Sequence, residues 1–265
     1  MADKMNMRLT LIGLGLCDER DITARGMDEI READVIFAEH YTSQLSTRSV
    51  SRLGEAIGRE IVMLTRQEVE GGSRIIESCR SGRVAFLVAG DPMTATTHVD
   101  LRLRAAKEKI ETGIIHASSV FTAVPGLLGL QHYKLGRTTT LPFPQEGYLP
   151  TSPCEVIVEN LERGLHSLVL LDIDSENDRY MTANEGLNVL EEMANKLDVS
   201  EKIGDDLLVA VVARAGWPDC QVAAGMLKDM RTRSFGPPLH TLVVPGKLHF
   251  MEEEALRAFA GMDRL

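Results

Sequence analysis

The sequence predicts an α/β protein made of two α/β domains with a cleft between them, and three observations carry that expectation. Apolar runs alternate with helix-like patterns along nearly all of the 265 residues. The longer runs are hydrophobic at successive positions rather than at every second one, which is the pattern of strands covered on both faces. Between positions 118 and 150 the texture changes, because Pro125, Pro142, Pro144, Pro150 and several glycines leave no long periodic segment. A domain junction therefore falls around 116–125, giving an N-terminal domain over 1–116 and a C-terminal domain over 117–265. A single domain with a long loop is the alternative.

In chain order the expected strands of the first half are RLTLIGL (8–14), DVIFAE (34–39), IVML (61–64), RVAFLVA (83–89) and GIIHAS (113–118). The second half adds TTTLPF (138–143), HSLVLLDI (166–173), DLLVAVVARA (206–215) and LHTLVVP (239–245). Helix starts are marked by capping boxes, in which a Ser or Thr and a Glu three residues on satisfy each other's backbone amides. They are Thr65–Glu68, Ser152–Glu155 with Pro153 at the first helical position, and Thr182–Glu185. After Thr182, Leu187, Leu190, Ala194 and Leu197 recur at helical spacing and define one buried face.

Composition narrows the function classes. A net charge of −10 argues against a broad surface for nucleic acid or anionic membrane. Cys17, Cys79, Cys154 and Cys220 are scattered without CxxC or Cys/His spacing, so a disulfide framework or zinc site is not expected and a reducing cytoplasm fits. The apolar part of MADKMNMRLTLIGLGL is too short for a secretory signal, and no run approaches the roughly 18 apolar residues of a membrane span. The seven histidines include no HExxH pair, so no metal is expected. There is neither a GxSxG elbow nor a GxxxxGK[ST] loop.

Two loops carry chemistry. In LIGLGLCDERDIT, Gly13 and Gly15 end the first strand as in a dinucleotide fingerprint, but the third glycine position is Asp18, followed by Glu19, Arg20 and Asp21. Carboxylates there repel a pyrophosphate and spoil a helix-terminus anion site, which disfavours NAD or FAD. The glycine turn is either structural or a place where backbone approaches a ligand, with Leu16 as a packing wall. In the second loop Gly90 turns the chain, Asp91 offers a carboxylate and Pro92 stiffens the exit. An acid suits hydroxyls, an ammonium or another positive centre and suits phosphate badly; Asp-Pro is also a common turn dipeptide.

GLGL at 13–16 together with AGDP at 89–92 resembles the tetrapyrrole methylases, the class III methyltransferases that bind S-adenosylmethionine between two α/β domains. Many relatives read Pro-Gly-Asp-Pro where this chain begins with Ala89. Within that family, GLGLCDERDIT (13–23), FAEHYTS (37–43), GDPMTATTH (90–98), ERGLHSLVLLDI (162–173), RYMTANEGL (179–187), ARAG (213–216) and PPLHTLVVPGKLH (237–249) resemble the diphthine synthases, over about residues 8 to 250. The ligand the resemblance implies is a sulfonium cation with ribose hydroxyls and an amino-acid tail, and it has no phosphate. S-adenosyl-L-homocysteine is the implied product.

Position by position, the resemblance implies a cofactor site of Leu16, Asp91, Thr94, Ser119, Val120, Leu171, Ala215 and His240. Thr94 stands where relatives carry other small residues, which implies contact through backbone and packing. Taken alone, His240 reads as a satisfied core histidine, and His98 reads as capping or packing before facing an acceptor. The implied reaction trimethylates the amino group of the amino-carboxypropyl-modified histidine of translation elongation factor 2, giving diphthine. No general base is assigned. A homodimer is implied, with no membrane and no direct nucleic-acid partner. Relatives that also esterify the carboxylate typically carry a longer C-terminal region, so an end at Leu265 leads to the expectation of trimethylation. Rival readings are a methyltransferase of the same fold acting on a tetrapyrrole or ribosomal RNA, an NAD-dependent oxidoreductase, and a non-catalytic binding module. The C-terminal MEEEALRAFAGMDRL reads as a solvated amphipathic helix.

Overall fold

The computed structural model of the chain describes residues 7–39, 46–174 and 177–263, and the side chains of 46–49 are not described. Residues 40–43 of the FAEHYTS stretch lie outside the described residues. Two units form, Met1–Ser119 and Val120–Leu265.

The first unit runs β1 (Arg8–Gly13), α1 (Ala24–Glu32), β2 (Val35–Glu39), α2 (Ser46–Ile57), β3 (Val62–Leu64), α3 (Arg66–Gly71), α4 (Ser73–Cys79), β4 (Arg83–Val88), α5 (His98–Lys107) and β5 (Glu111–Ile115). The strands make a sheet in the order β3-β2-β4-β1-β5, and every pairing is parallel. Parallel strands need crossover helices, and these bury both faces, which is why the runs are continuously apolar. Leu9, Leu11, Phe37 and Phe86 pack on one face against Val69 of α3, Ile75 and Ile76 of α4, and Leu101 of α5. Ile12, Ile36, Ala38 and Leu87 pack on the other against Ile30 of α1 and Leu53 of α2. All five strands therefore send their C-terminal ends to one edge, where ligand loops of such sheets gather.

The second unit runs α6 (Val120–Leu128), β6 (Thr139–Leu141), α7 (Ser152–Glu162), β7 (Ser167–Leu171), β8 (Ile173–Asp174), β9 (Arg179–Tyr180), α8 (Ala183–Leu197), β10 (Leu208–Ala213), β11 (Gln221–Met226), α9 (Leu227–Met230), β12 (His240–Val244) and α10 (Phe250–Ala260). Its main sheet has the order β11-β10-β12-β7-β6. Only β6 and β7 pair in parallel; the other neighbours are antiparallel. Leu187, Leu190 and Ala194 of α8 are fully buried and Leu197 packs beside them, as their spacing predicts.

The structure corrects several element readings. The stretch after 118 contains α6, whose Val124 and Leu128 are fully buried with Pro125 inside the helix; packing outweighs the donor that proline lacks. β11 was not predicted, because QVAAGM has few β-branched residues and is held by pairing with β10. The HSLVLLDI run divides at Asp172 into β7 and β8. The run expected at 113–118 is β5, ending at Ile115. Capping boxes form at Thr65 and Thr182, but not at Ser152, which is the first residue of α7. Thr151 holds the cap position there without a side-chain cap bond, and its hydroxyl instead lies 3.1 Å from Glu155 Oε1.

Candidate functional site

The GLGL loop follows β1 and the GDP loop follows the neighbouring β4, and backbone bonds tie the two. Gly15 N–H donates to Gly90 O at 3.2 Å, and Gly90 N–H donates back to Gly15 O at 2.9 Å. Glycine is required for this approach, because a Cβ on Gly13 would stand 2.5 Å from Gly90 O. Gly15 holds φ +78° and Gly90 φ +66°, backbone conformations that suit glycine.

The acids that the sequence analysis set against phosphate have a structural use. Asp21 Oδ2 accepts the amides of Leu16 at 3.0 Å and Cys17 at 2.7 Å. These are N–H groups of the kind that cradle a phosphate in nucleotide folds, and here the chain's own carboxylate takes them. Asp18 instead pairs with Arg20, and that hydrogen bond holds its carboxyl below the ordinary value. The loop is thus suited to a ligand without phosphate.

Asp91 is similarly engaged. Its Oδ1 accepts from Met93 N at 3.0 Å and Thr94 Oγ1 at 3.2 Å. Its Oδ2 accepts from His116 Nδ1 at 2.7 Å and Ala117 N at 3.3 Å. Burial opposes its charge, but the Met93 amide and His116 outweigh burial and hold the carboxyl below its ordinary value. Asp91 therefore fastens the GDP loop to the segment after β5 while keeping a negative charge there. Ala95, three residues after Pro92, sits at φ +53°, a costly conformation for a residue with a Cβ.

His98 starts α5 and packs edge-on against Phe86, with ring centroids 5.2 Å apart. Its Nδ1 lies 2.9 Å from Pro92 O and its Nε2 lies 3.2 Å from Glu39 Oε2. Both nitrogens face oxygens, an arrangement that favours the doubly protonated ring. Burial works against that charge, but Glu39 outweighs it and raises the pKa. His98 is a packed support of the GDP loop; nothing in this arrangement leaves a ring nitrogen for an acceptor.

In the second unit, Leu171 ends β7, Ala215 follows β10 and His240 begins β12. Ala213 pairs with His240, and Val169 pairs with Leu242, so these three positions lie at one end of the sheet. His240 is buried: its Nδ1 accepts the Ala183 amide at 2.9 Å and its Nε2 lies 3.0 Å from Pro237 O. A nitrogen that accepts cannot carry a proton, so His240 is neutral, and burial correspondingly lowers its pKa. Arg214, at φ +54°, is buried and spans two loops. It donates to Asp219 Oδ2 at 2.7 Å and to Phe235 O at 2.8 Å, while its amide donates to Leu239 O.

The structure thus brings Leu16, Asp91, Thr94 and Ser119 to the C-terminal edge of the first sheet. It brings Leu171, Ala215 and His240 to one end of the second. Ser119 is buried, and Val120 opens α6. Sequence reasoning missed Asp21 as an internal anion, His116 as the partner of Asp91, and Arg214 as the brace of the ARAG and PPLH loops. Each is a partner across a turn or between strands, and no periodicity announces it. Among the described residues no group of His, Cys, Asp and Glu has the arrangement of a metal site. No helix among them is long and apolar enough to cross a membrane.

Paired glycine loops on a parallel sheet and a second, mixed sheet narrow the choice of fold, and comparison with known proteins decides it. The family described as Tetrapyrrole (Corrin/Porphyrin) Methylases matches residues 8–231. The diphthine synthase of Methanocaldococcus jannaschii is 48% identical over 94% of this chain and 97% of its own length. The chain belongs to the tetrapyrrole methylase family, among its diphthine synthases. The diphthine synthase of Methanocorpusculum labreanum is 46% identical over 96% of this chain and 99% of its own. A crystal structure of a diphthine synthase superposes with a TM-score of 0.87 at 37% identity, covering 97% of each chain. Membership makes the chain a methyltransferase of the diphthamide pathway that uses a methyl donor, and excludes the oxidoreductase reading.

Proposed function

We propose that this protein transfers methyl groups from S-adenosylmethionine to the amino group of the amino-carboxypropyl-modified histidine of translation elongation factor 2, three times, to give diphthine. The observation that carries the donor assignment is the filled amide nest of the GLGL loop. Asp21 takes the Leu16 and Cys17 amides, so the loop accommodates a ligand without phosphate, and Asp91 keeps a negative charge nearby for a sulfonium cation. The acceptor assignment rests on identity with diphthine synthases along nearly the whole chain.

In this reading Leu16, Asp91, Thr94, Ser119 and Val120 of the glycine loops and the segment after β5 hold the donor together with Leu171, Ala215 and His240. The donor supplies an already activated methyl group when bound. What the chain contributes is orientation, which for well-aligned reactants recovers about 7–11 kcal/mol of a barrier. Thr94 contributes chiefly by shaping the loop, since its hydroxyl is turned to Asp91. The neutral His240 ring offers a face and an edge rather than a charge. The protein acts as a homodimer in the cytoplasm, without membrane or nucleic-acid partners.

Intact-protein mass spectrometry of elongation factor 2 bearing the amino-carboxypropyl histidine tests the proposal. The expected result is stepwise gain of three methyl masses with the wild type and a weakened series with Asp91→Ala. A fourth addition would mean that the carboxylate is esterified too. Absence of any addition, with donor binding intact, would redirect the reading to tetrapyrrole or ribosomal RNA acceptors.

A further inference from the structure

The acceptor amine in this reading starts as an ammonium, which has no lone pair with which to attack a methyl group. Each transfer therefore needs a proton removed. His240 does not serve, because one nitrogen accepts the Ala183 amide and the other is committed to Pro237 O. His98 is buried between two acceptors.

His116 differs from both. It stands just beyond the end of β5, and its side chain is 69% exposed although its Nδ1 is fixed 2.7 Å from Asp91 Oδ2. A carboxylate partner places a proton on Nδ1, which leaves the lone pair of the neutral ring on Nε2. Among the described residues no hydrogen bond holds Nε2, and Asp91 is the one ionised group set against the ring. A ring oriented through Nδ1 by a carboxylate, with Nε2 open, is the arrangement that makes imidazole an effective proton acceptor. The same carboxylate anchors Met93 and Thr94, so the ring and the GDP loop share one fixed point.

We propose that His116 is the base that takes the proton from the acceptor amine, with Asp91 as its positioning residue; this rests on the reading that the acceptor is an amine. Nε2 takes a proton from the ammonium, and the resulting imidazolium strengthens its bond to Asp91 through charge. The freed nitrogen lone pair forms the new N–C bond to the methyl carbon. The carbon–sulfur bond of the sulfonium breaks, and its electron pair remains on sulfur as a neutral thioether. The exposed imidazolium then gives its proton to water, so one proton is released per methyl transferred.

The test compares His116→Asn and His116→Ala with the wild type in methyl transfer to the modified elongation factor and in titration with S-adenosylhomocysteine. Asn can offer Asp91 an N–H in place of Nδ1 but has no basic lone pair. Both variants are expected to slow transfer by roughly 10²–10⁴-fold while cofactor affinity stays within about threefold. Free imidazoles should restore turnover to His116→Ala, and more basic imidazoles should restore more. If His116→Asn keeps more than about a tenth of wild-type turnover, or affinity falls in step with turnover, the ring only holds Asp91 and the proposal is overturned. A wild type that methylates no amine would sink the functional reading itself, and the base assignment with it.

Discussion

Each unit buries a histidine against a glutamate, and the two pairs hold opposite charge states. In the first unit, His98 lies between Pro92 O and Glu39 Oε2. Against burial, Glu39 and the Pro92 carbonyl raise the His98 pKa, which favours the protonated ring. In the second, His166 Nδ1 accepts the Gly246 amide at 2.9 Å while Nε2 lies 2.9 Å from Glu252 Oε1. A ring that accepts at one nitrogen is neutral, and burial lowers the His166 pKa. The charge balancing Glu252 comes instead from Lys134. The identity of the two residues therefore does not decide the protonation of such a pair; the backbone group at the far nitrogen does.

The sharpest break should come at Glu252. It is fully buried and accepts from the Gln131 and His249 amides as well as from Lys134 and His166. Glu252→Ala would strand all four donors at the junction of α10 and the segment after α6, at a cost of about 3–5 kcal/mol in urea unfolding. Burial opposes its ionisation, but Lys134 and the two amides outweigh it and bring the pKa down to about 2. The folded-state value lies below the unfolded one, so the contribution is in full above the ordinary carboxyl range and fades as pH falls toward 2. Wild type and Glu252→Gln should therefore converge in stability on acidification.

Glu39→Gln tests the first pair with the opposite sign. Because the folded-state pKa of His98 is raised, its stabilisation is complete below the ordinary imidazole value and is lost as pH rises through the folded one. The variant should lose roughly 1–3 kcal/mol at mildly acidic pH and much less at alkaline pH, read from urea midpoints across pH. An equal loss at every pH would show that His98 is neutral. The capping boxes serve as an internal control. Thr65→Ala and Thr182→Ala, one in each unit, should each cost about 1 kcal/mol at any neutral pH, whereas Ser152→Ala should be close to neutral.

The strands were legible wherever burial on both faces produced continuous apolar runs, as in VAFLV of β4 and LVAVVA of β10. The Thr65 and Thr182 caps were legible because the box has a fixed three-residue spacing. The Ser152 box failed because Thr151 precedes it and takes the cap position, a choice that packing makes and spacing does not. α6 was hidden by Pro125 and Gly126, and β11 by its small residues. The glycine loops were read as suited to a phosphate-free ligand, which agrees with the amide nest filled by Asp21. That Asp21 itself fills the nest depends on the turn at Gly15, whose φ of +78° no composition reveals. His116 escaped notice because its role arises only when β5 is laid beside β1 and the GDP loop folds over its end.

The proposed function rests most directly on Asp91 and His240 as donor-holding residues. Calorimetric titration of S-adenosylhomocysteine against wild type, Asp91→Asn and His240→Ala tests it most directly. The account predicts one site per chain and a loss of at least about tenfold in affinity, some 1.4 kcal/mol, for each variant, with both still unfolding cooperatively. Wild-type affinity in His240→Ala would contradict it, because His240 would then hold no part of the donor.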